Sequence, residues 1–135
     1  MPSRVLLVED NPDDEALTLR ALRKVDVPIE IRVARDGVDA LRALGLNGSD
    51  EVPELPHLVL LDIKLPKVTG LEVLRHIRRS PHTEGLPVVM LTSSDEPSDV
   101  ITASMLNVSR YVRKAVDYDE FMASLKVVVK DFIPG

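Results

Sequence analysis

The sequence of 135 residues lacks cysteine altogether and has only two tyrosines and two phenylalanines. The absence of cysteine excludes a disulfide framework and a thiol nucleophile. No apolar run approaches the roughly 18 consecutive residues that a membrane-spanning helix requires. Residues 1–4 lead directly into the first predicted strand, so no hydrophobic signal-peptide region is expected. We therefore predict a cytoplasmic protein with no membrane segment.

The chain also has no excess of positive charge. The chain has 17 basic and 22 acidic residues and a net charge of -5 at pH 7, which gives no support to a nucleic-acid partner. A hydrophobic content of 44% and a charged content of 29% are ordinary for a globular domain. We find no internal repeat and no linker, and no effector domain is expected after Gly135. Residues 1–135 are thus predicted to form a single domain.

The chain is organised around the apolar run Leu58–Leu61, which ends at Asp62. Such a run, bounded by prolines, predicts a strand buried on both faces, as in a parallel sheet. An aspartate is common where a strand ends, and alone it would indicate little. A second apolar strand, Val5–Val8, ends in the same way, in Glu9 and Asp10. Two strands that both end in carboxylates favour a functional site.

Strands alternate with helices along the whole chain. Five strands in this pattern imply a parallel sheet with right-handed crossovers. We predict an α/β fold: a single doubly wound five-stranded parallel sheet in the flavodoxin-like order 2-1-3-4-5, with helices on both faces. The predicted strands are Val5–Val8, Ile29–Ala34, the strand that carries Asp62, Pro87–Leu91 and Ser109–Val112. The helices are predicted from the 11–14 turn to about Val25, over Val38–Leu44, after a Thr69 cap, over Glu96–Leu106 and after an Asp117 cap.

The predicted strand order brings the polar strand ends together. Glu9, Asp10 and Asp62 should converge on one crevice, flanked by Thr92 and Lys114. Three carboxylates repel one another and raise their pKa values unless a cation intervenes, and Mg²⁺ is suited to oxygen ligands. A carboxylate nucleophile, Mg²⁺, a lysine and a hydroxyl are the parts needed to accept a phosphoryl group.

The sequence contains five short motifs at the strand ends and turns: Val8-Glu9-Asp10-Asn11, Leu61-Asp62-Ile63-Lys64-Leu65-Pro66, Thr69-Gly70, Leu91-Thr92-Ser93 and Tyr111-Val112-Arg113-Lys114. Together they resemble the receiver domain of bacterial two-component response regulators. The resemblance covers essentially the whole chain. The Asn-Pro-Asp-Asp turn and the long loop at 46–57 are most similar to small regulators that partner phytochrome-type histidine kinases.

The resemblance implies a phosphoacceptor and a metal site. Asp62 would accept the phosphoryl group and also bind Mg²⁺. Asp10 would bind the metal directly, Glu9 would bind it through water, and the backbone carbonyl of Lys64 would complete the protein ligands. We therefore expect a phosphoacceptor signalling protein, not an enzyme, that is phosphorylated by a sensor histidine kinase.

The resemblance also implies residues that respond to phosphorylation. Thr92 matches the switch hydroxyl, Lys114 the lysine that contacts the phosphoryl group, and Tyr111 the rotating aromatic residue of the output face. Taken singly, Thr92 and Lys114 would be ordinary loop residues and Tyr111 a packing residue. Their positions within the set are what favour a functional role.

Two positions depart from the family pattern. The family usually has a proline in a cis peptide after its lysine, whereas Ala115 follows Lys114 here. A cis bond before alanine costs roughly 3–4 kcal/mol, and the sequence does not decide its geometry. Lys64 replaces the expected asparagine or methionine two residues after the acceptor, which leaves the lifetime of the phosphoryl group open.

Two other functions compete with this interpretation. A Mg²⁺-dependent aspartyl-phosphate phosphohydrolase would need a second aspartate two residues after the nucleophile, where Lys64 stands. A degenerate receiver that serves only as a binding module would have no need to retain the acidic residues, the hydroxyl and the lysine.

The last helix has a wide apolar stripe. We predict a homodimer through the fourth helix, the fifth strand and the fifth helix, with an alternative in which the stripe only covers the sheet edge. The fourth helix supports the dimer because its segment Val100–Leu106 carries no charge. The stripe spans about 140° of arc. It consists of Phe121, Leu125, Val128 and Phe132, widened by Met122, Val129 and Ile133.

Overall fold

In a computed structural model, residues 2–48, 53–93, 96–114 and 117–133 are described. Strands and helices alternate through these residues as predicted. The strands are β1 (Ser3–Val8), β2 (Ile29–Ala34), β3 (Leu58–Asp62), β4 (Val88–Thr92) and β5 (Arg110–Arg113). The helices are α1 (Pro12–Arg23), α2 (Gly37–Ala43), α3 (Gly70–Arg79), α4 (Pro97–Met105) and α5 (Tyr118–Phe132).

The five strands form one parallel sheet in the order β2-β1-β3-β4-β5, which confirms the predicted topology. All of β3 and β4 is buried, as expected for central strands covered on both faces. The strand register brings the polar ends of four strands to one edge of the sheet. Val8 pairs with Leu61, Asp62 with Leu91, and Thr92 with Arg113.

The core has two layers, one on each face of the sheet. Side chains alternate between the faces, so Leu6 and Val8 join one layer while Val5 and Leu7 join the other. Helices α2, α3 and α4 cover the first layer, and α1 and α5 cover the second. In the part of the chain that is described, no helix has both the length and the apolar character to cross a bilayer.

Side-chain caps set the start of four helices. Asn11, Asp36, Thr69 and Asp117 each accept backbone N–H bonds from the first turn that follows them. The caps predicted at Thr69 and Asp117 are therefore present. Strand β1 starts two residues earlier than predicted because the Ser3 N–H donates to the carbonyl of Pro28, at 3.1 Å, and extends the ladder.

The wide stripe of α5 has a different role from the one predicted. Val129 is 0% exposed and Ile133 is also buried, while Met122 packs partly buried against the same core layer. The residues that widen the stripe thus cover the sheet and do not form an outward face. The prediction that Met122, Val129 and Ile133 line a dimer surface was wrong, because these residues pack against the core layer that α1 and α5 cover.

Candidate functional site

Three carboxylates meet at the carboxyl edge of the sheet. Glu9 and Asp10 follow β1, and Asp62 is the last residue of the neighbouring strand β3. One oxygen from each lies within 4.8 Å of the others. Glu9 is 0% exposed and Asp62 is buried, whereas Asp10 is exposed to solvent. The predicted convergence of these three residues is confirmed by the geometry.

Both oxygens of the Glu9 carboxylate have hydrogen-bond partners. Oε1 accepts from the Asn11 backbone N–H at 3.2 Å, and Oε2 accepts from Lys114 Nζ at 2.5 Å. The backbone N–H of Glu9 donates to the carbonyl of Ala34 at 3.0 Å, which continues the β1–β2 ladder by one residue. Glu9 is therefore held in the crevice from both its backbone and its side chain.

Lys114 brings positive charge into the crevice from the end of β5. Its backbone N–H donates to the carbonyl of Thr92 at 2.6 Å, so the strand pairing aims the side chain at the site. Its ammonium group lies 3.4 Å from Asp62 Oδ2 and 2.9 Å from Asp14 Oδ2, in addition to its bond with Glu9. One lysine thus bridges carboxylates from three elements.

The electrostatics of the crevice reflect burial and crowding. Burial, together with the nearby Asp62 carboxylate, raises the pKa of Glu9 to about 7, although the hydrogen bond from Lys114 opposes the shift. Burial alone would lower the pKa of Lys114, but its carboxylate partners outweigh burial and raise it. A single ammonium faces several carboxylates, which leaves an excess of negative charge.

This donor set fits a divalent metal. Its oxygens are hard ligands of the kind that Mg²⁺ takes, they lie close enough to share one ion, and their excess negative charge favours a cation. The exposed Asp10 lies on the side open to solvent, which suits an ion that keeps several waters. The residues present therefore fit the metal site that the sequence predicts.

Gly70 allows the loop after β3 to close over the acceptor strand. Its N–H donates to the carbonyl of Ile63 at 2.8 Å, and an added Cβ would lie 2.0 Å from the carbonyl oxygen of Asp62. Only glycine permits such a close backbone approach. The Asp62 side chain accepts from the Lys64 backbone N–H at 3.3 Å, which orients the carboxylate toward the crevice.

A comparison with known families agrees with this geometry. A family model described as the response regulator receiver domain matches residues 5–126. The chain belongs to this family. Receiver domains are phosphorylated on an aspartate by a histidine kinase and bind a divalent metal, and these properties apply to this chain.

Individual proteins similar to this chain include a response regulator that covers most of its length. Response regulator Rcp1 of Synechocystis is 39% identical over 114 residues, which cover 84% of this chain and 78% of Rcp1. A solved structure of Rcp1 in its Mn²⁺-bound form has a TM-score of 0.88 at 32% identity and covers 99% of this chain and 100% of that one.

Two further solved structures are similar to this receiver domain. The phosphorylated cyanobacterial phytochrome response regulator RcpA has a TM-score of 0.89 at 31% identity, with 100% of each chain covered. The bacteriophytochrome response regulator RtBRR has a TM-score of 0.77 at 45% identity and covers 93% of this chain and 76% of that one.

The other predicted site residues lie on β4, on β5 and in the loop that follows β3. Thr92 is the last residue of β4 and is 1% exposed. Tyr111 on β5 is partly buried and packs against the core layer under α4. The Lys64 side chain is exposed to solvent, next to the acceptor. The Lys114-Ala115 peptide involves a residue outside the described part of the chain.

Asp14 is a site residue that the sequence interpretation missed. Its carboxylate was interpreted only as an acidic residue in the first helical turn, where the helix dipole favours it. The signal that could have identified it is the helical spacing, because Asp14 precedes Thr18 by four residues. Thr18 is buried against the sheet, so Asp14 lies on the same inner face of α1.

Proposed function

We propose that Asp62 accepts a phosphoryl group from a sensor histidine kinase in a Mg²⁺-dependent reaction. The supporting observation is the convergence of Glu9, Asp10 and Asp62 within 4.8 Å, with the Lys114 ammonium 3.4 Å from the Asp62 carboxylate. Asp62 is the last residue of the central strand β3, and its carboxylate is oriented by a backbone N–H. That orientation suits a nucleophile in phosphoryl transfer.

In the proposed reaction, one oxygen of Asp62 attacks phosphorus while the bond from phosphorus to the histidine nitrogen of the kinase breaks. The electron pair of that bond stays on the nitrogen, and the product is an acyl phosphate on Asp62. Lys114 and the Thr92 hydroxyl hold phosphoryl oxygens by hydrogen bonds. These contacts stabilise charge that builds up on the transferring group.

The metal is proposed to be Mg²⁺, which when bound would neutralise phosphoryl charge. Asp10 and Asp62 would bind it directly, the buried Glu9 through water, and the backbone carbonyl of Lys64 would complete the set. The full engagement of both Glu9 oxygens supports an indirect role for that residue. The exposure of Asp10 supports a direct one.

The competing functions have less support. A phosphohydrolase acting on an external substrate needs an acid–base group beside the nucleophile, and Lys64 stands at that position with its side chain in solvent. A degenerate receiver would not need a buried lysine bonded to three carboxylates. We therefore propose a phosphoacceptor signalling protein and not an enzyme with an external substrate.

The proposal includes a partner and an output. The similarity to the phytochrome response regulator RcpA and the bacteriophytochrome response regulator RtBRR supports a phytochrome-type kinase as the phosphoryl donor. Movement of the Thr92 hydroxyl toward the phosphoryl group would let the Tyr111 ring turn inward and change the surface around α4, β5 and α5. The proposal places the chain in the cytoplasm as a single receiver domain that binds no nucleic acid.

The proposed acceptor can be tested by phosphorylating the protein with acetyl phosphate and measuring intact mass. We expect one phosphoryl group in the wild type with Mg²⁺, and little or none without a divalent ion. Asp62→Asn should abolish uptake, whereas the control Asp13→Asn, an exposed aspartate nearby, should behave as wild type. Uptake by Asp62→Asn at the wild-type level would refute Asp62 as the acceptor.

A further inference from the structure

The ammonium group of Lys114 has three carboxylate partners that come from separate elements. Glu9 follows β1 and accepts at 2.5 Å, Asp14 in the first turn of α1 accepts at 2.9 Å, and Asp62 at the end of β3 lies at 3.4 Å. An ammonium group has three protons, so these partners match its full donor capacity.

Two of these three carboxylates also take part in the proposed phosphoryl transfer. Asp62 would receive the phosphoryl group and Glu9 would hold the metal through water, so both would share their oxygens between Lys114 and another group. Asp14 has neither task in that proposal. It is the only one of the three partners that stays available to Lys114 throughout the transfer.

Asp14 lies in a well-defined helix start beside Lys114. The Asn11 side chain caps α1 and accepts the Asp14 N–H at 3.1 Å, and proline at position 12 starts the helix. The Asp14 side chain is 36% exposed, and that of Lys114 only 11%. The aspartate therefore lies at the mouth of the crevice and the lysine inside it.

Packing alone does not hold the Lys114 side chain in one place. A cavity of about 40 Å³ lies beside it and is also lined by Asp14, Leu17, Thr18 and Phe121. Lysine has a flexible four-carbon stem and loses rotamer freedom when it is held in one position. An ion pair that restrains the end of the stem would compensate for the incomplete packing around it.

We propose that Asp14 is a positioning residue for Lys114, and that it keeps the ammonium group at the phosphoryl site while Glu9 and Asp62 are engaged. This inference rests on the proposed function of Asp62. The alternative role is competition, in which Asp14 and the phosphoryl group compete for the ammonium group of Lys114. Competition would make removal of Asp14 speed the transfer, whereas positioning makes its removal slow the transfer.

A double-mutant cycle separates these roles, because Asp14 must act through Lys114 if it is a positioning residue. The rate of phosphorylation by acetyl phosphate with Mg²⁺ would be measured by intact mass for the wild type, Asp14→Asn, Lys114→Gln and the double variant. We expect Asp14→Asn to slow the reaction about three- to tenfold, the size expected from loss of one hydrogen bond at a partly exposed site. In the Lys114→Gln background the same change should have an effect of less than about twofold.

The matched control is Asp13→Asn, which removes the same charge from the same helical turn without touching Lys114. It should stay within about twofold of the wild type, which excludes a general effect of charge. Asp14→Glu should restore part of the rate, since it returns a carboxylate. An equal effect of Asp14→Asn in both lysine backgrounds, or an acceleration, would overturn the inference. Failure of the wild type to be phosphorylated on Asp62 would instead overturn the proposed function.

Discussion

At the scale of single residues, Gly70 controls how closely the loop after β3 approaches the acceptor strand. The position that a Cβ would occupy is 2.0 Å from the Asp62 carbonyl oxygen and 2.7 Å from the Ile63 Cα. Both are backbone atoms, so a side chain cannot be accommodated by a rotamer change. Accommodation would have to move the loop or the end of β3, where the proposed acceptor Asp62 lies.

We therefore expect Gly70→Ala to lower the free energy of unfolding by about 1–3 kcal/mol, as overpacking does. It should also slow phosphorylation, because the end of β3 must shift. Gly85→Ala is the matched control, since nothing lies within 4 Å of the Cβ it would add. Urea denaturation of both variants gives the comparison, and equal stabilities would show that the contact at Gly70 is relieved without cost.

At the scale of secondary-structure elements, Arg78 joins three segments that lie apart in sequence. From the last turn of α3, it donates to the carbonyls of Glu84 at 3.0 Å and Leu86 at 2.7 Å. It also donates to the carbonyl of Asn107 at 2.9 and 3.2 Å, in the turn between α4 and β5. The Arg78 side chain thus links the turn that follows α4 to the residues that precede β4.

The N-terminal end of α4 differs from that of the other described helices. Glu96 precedes its first residue, Pro97, and provides no side-chain cap for the helix. The contact of Arg78 with Asn107 thus holds the C-terminal end of α4, whereas its N-terminal end lacks a side-chain N-cap bond.

We expect Arg78→Lys to destabilise the protein by about 1–3 kcal/mol, because a lysine cannot reproduce the planar guanidinium contacts with several carbonyls. Arg79→Lys is the control, since Arg79 is exposed in the same turn. Urea denaturation would measure stability, and amide hydrogen exchange would locate the loosened segment. Faster exchange confined to regions away from α4 and β4 would contradict the anchoring role.

At the scale of the whole molecule, large apolar side chains are exposed on the α4 side of the output face. Val100, Ile101 and Met105 on α4 are exposed, Met105 to 78%, and Val127 is exposed on α5. Exposed apolar clusters of this kind often mark interaction surfaces. These exposed residues support the proposal of a homodimer through α4, β5 and α5. Val129 does not support it, because it is buried.

Ile101→Asp should therefore convert a dimer into a monomer, because it places a charge in the proposed interface. The control is Val38→Asp, a partly exposed valine on α2, which lies toward the opposite edge of the sheet. Light scattering at micromolar concentration, with and without a phosphoryl mimic, measures the outcome. A monomeric wild type under both conditions would remove the dimer from the proposal, and a dimer that survives Ile101→Asp would place its interface elsewhere.

The sequence alone determined the fold class and the core of the site. Apolar runs at Val5–Val8 and Leu58–Leu61, each followed by carboxylates, indicate two buried parallel strands. The parallel order then places Glu9 and Asp62 side by side. These predictions succeed because hydrophobic periodicity and strand direction are local properties, and the sheet edge follows from them.

Only the tertiary structure decided which partners the site residues take and which apolar residues remain exposed. Asp14 and Lys114 are 100 residues apart, and their contact depends on how α1 and β5 lie over the same edge of the sheet. Val129 is buried and Val127 exposed on one helix, because the packing of α5 against the sheet sets its rotation. The helical pattern placed Val129 beside the core stripe, but whether it faces the core or a partner depends on the distance and angle between elements that fold against each other.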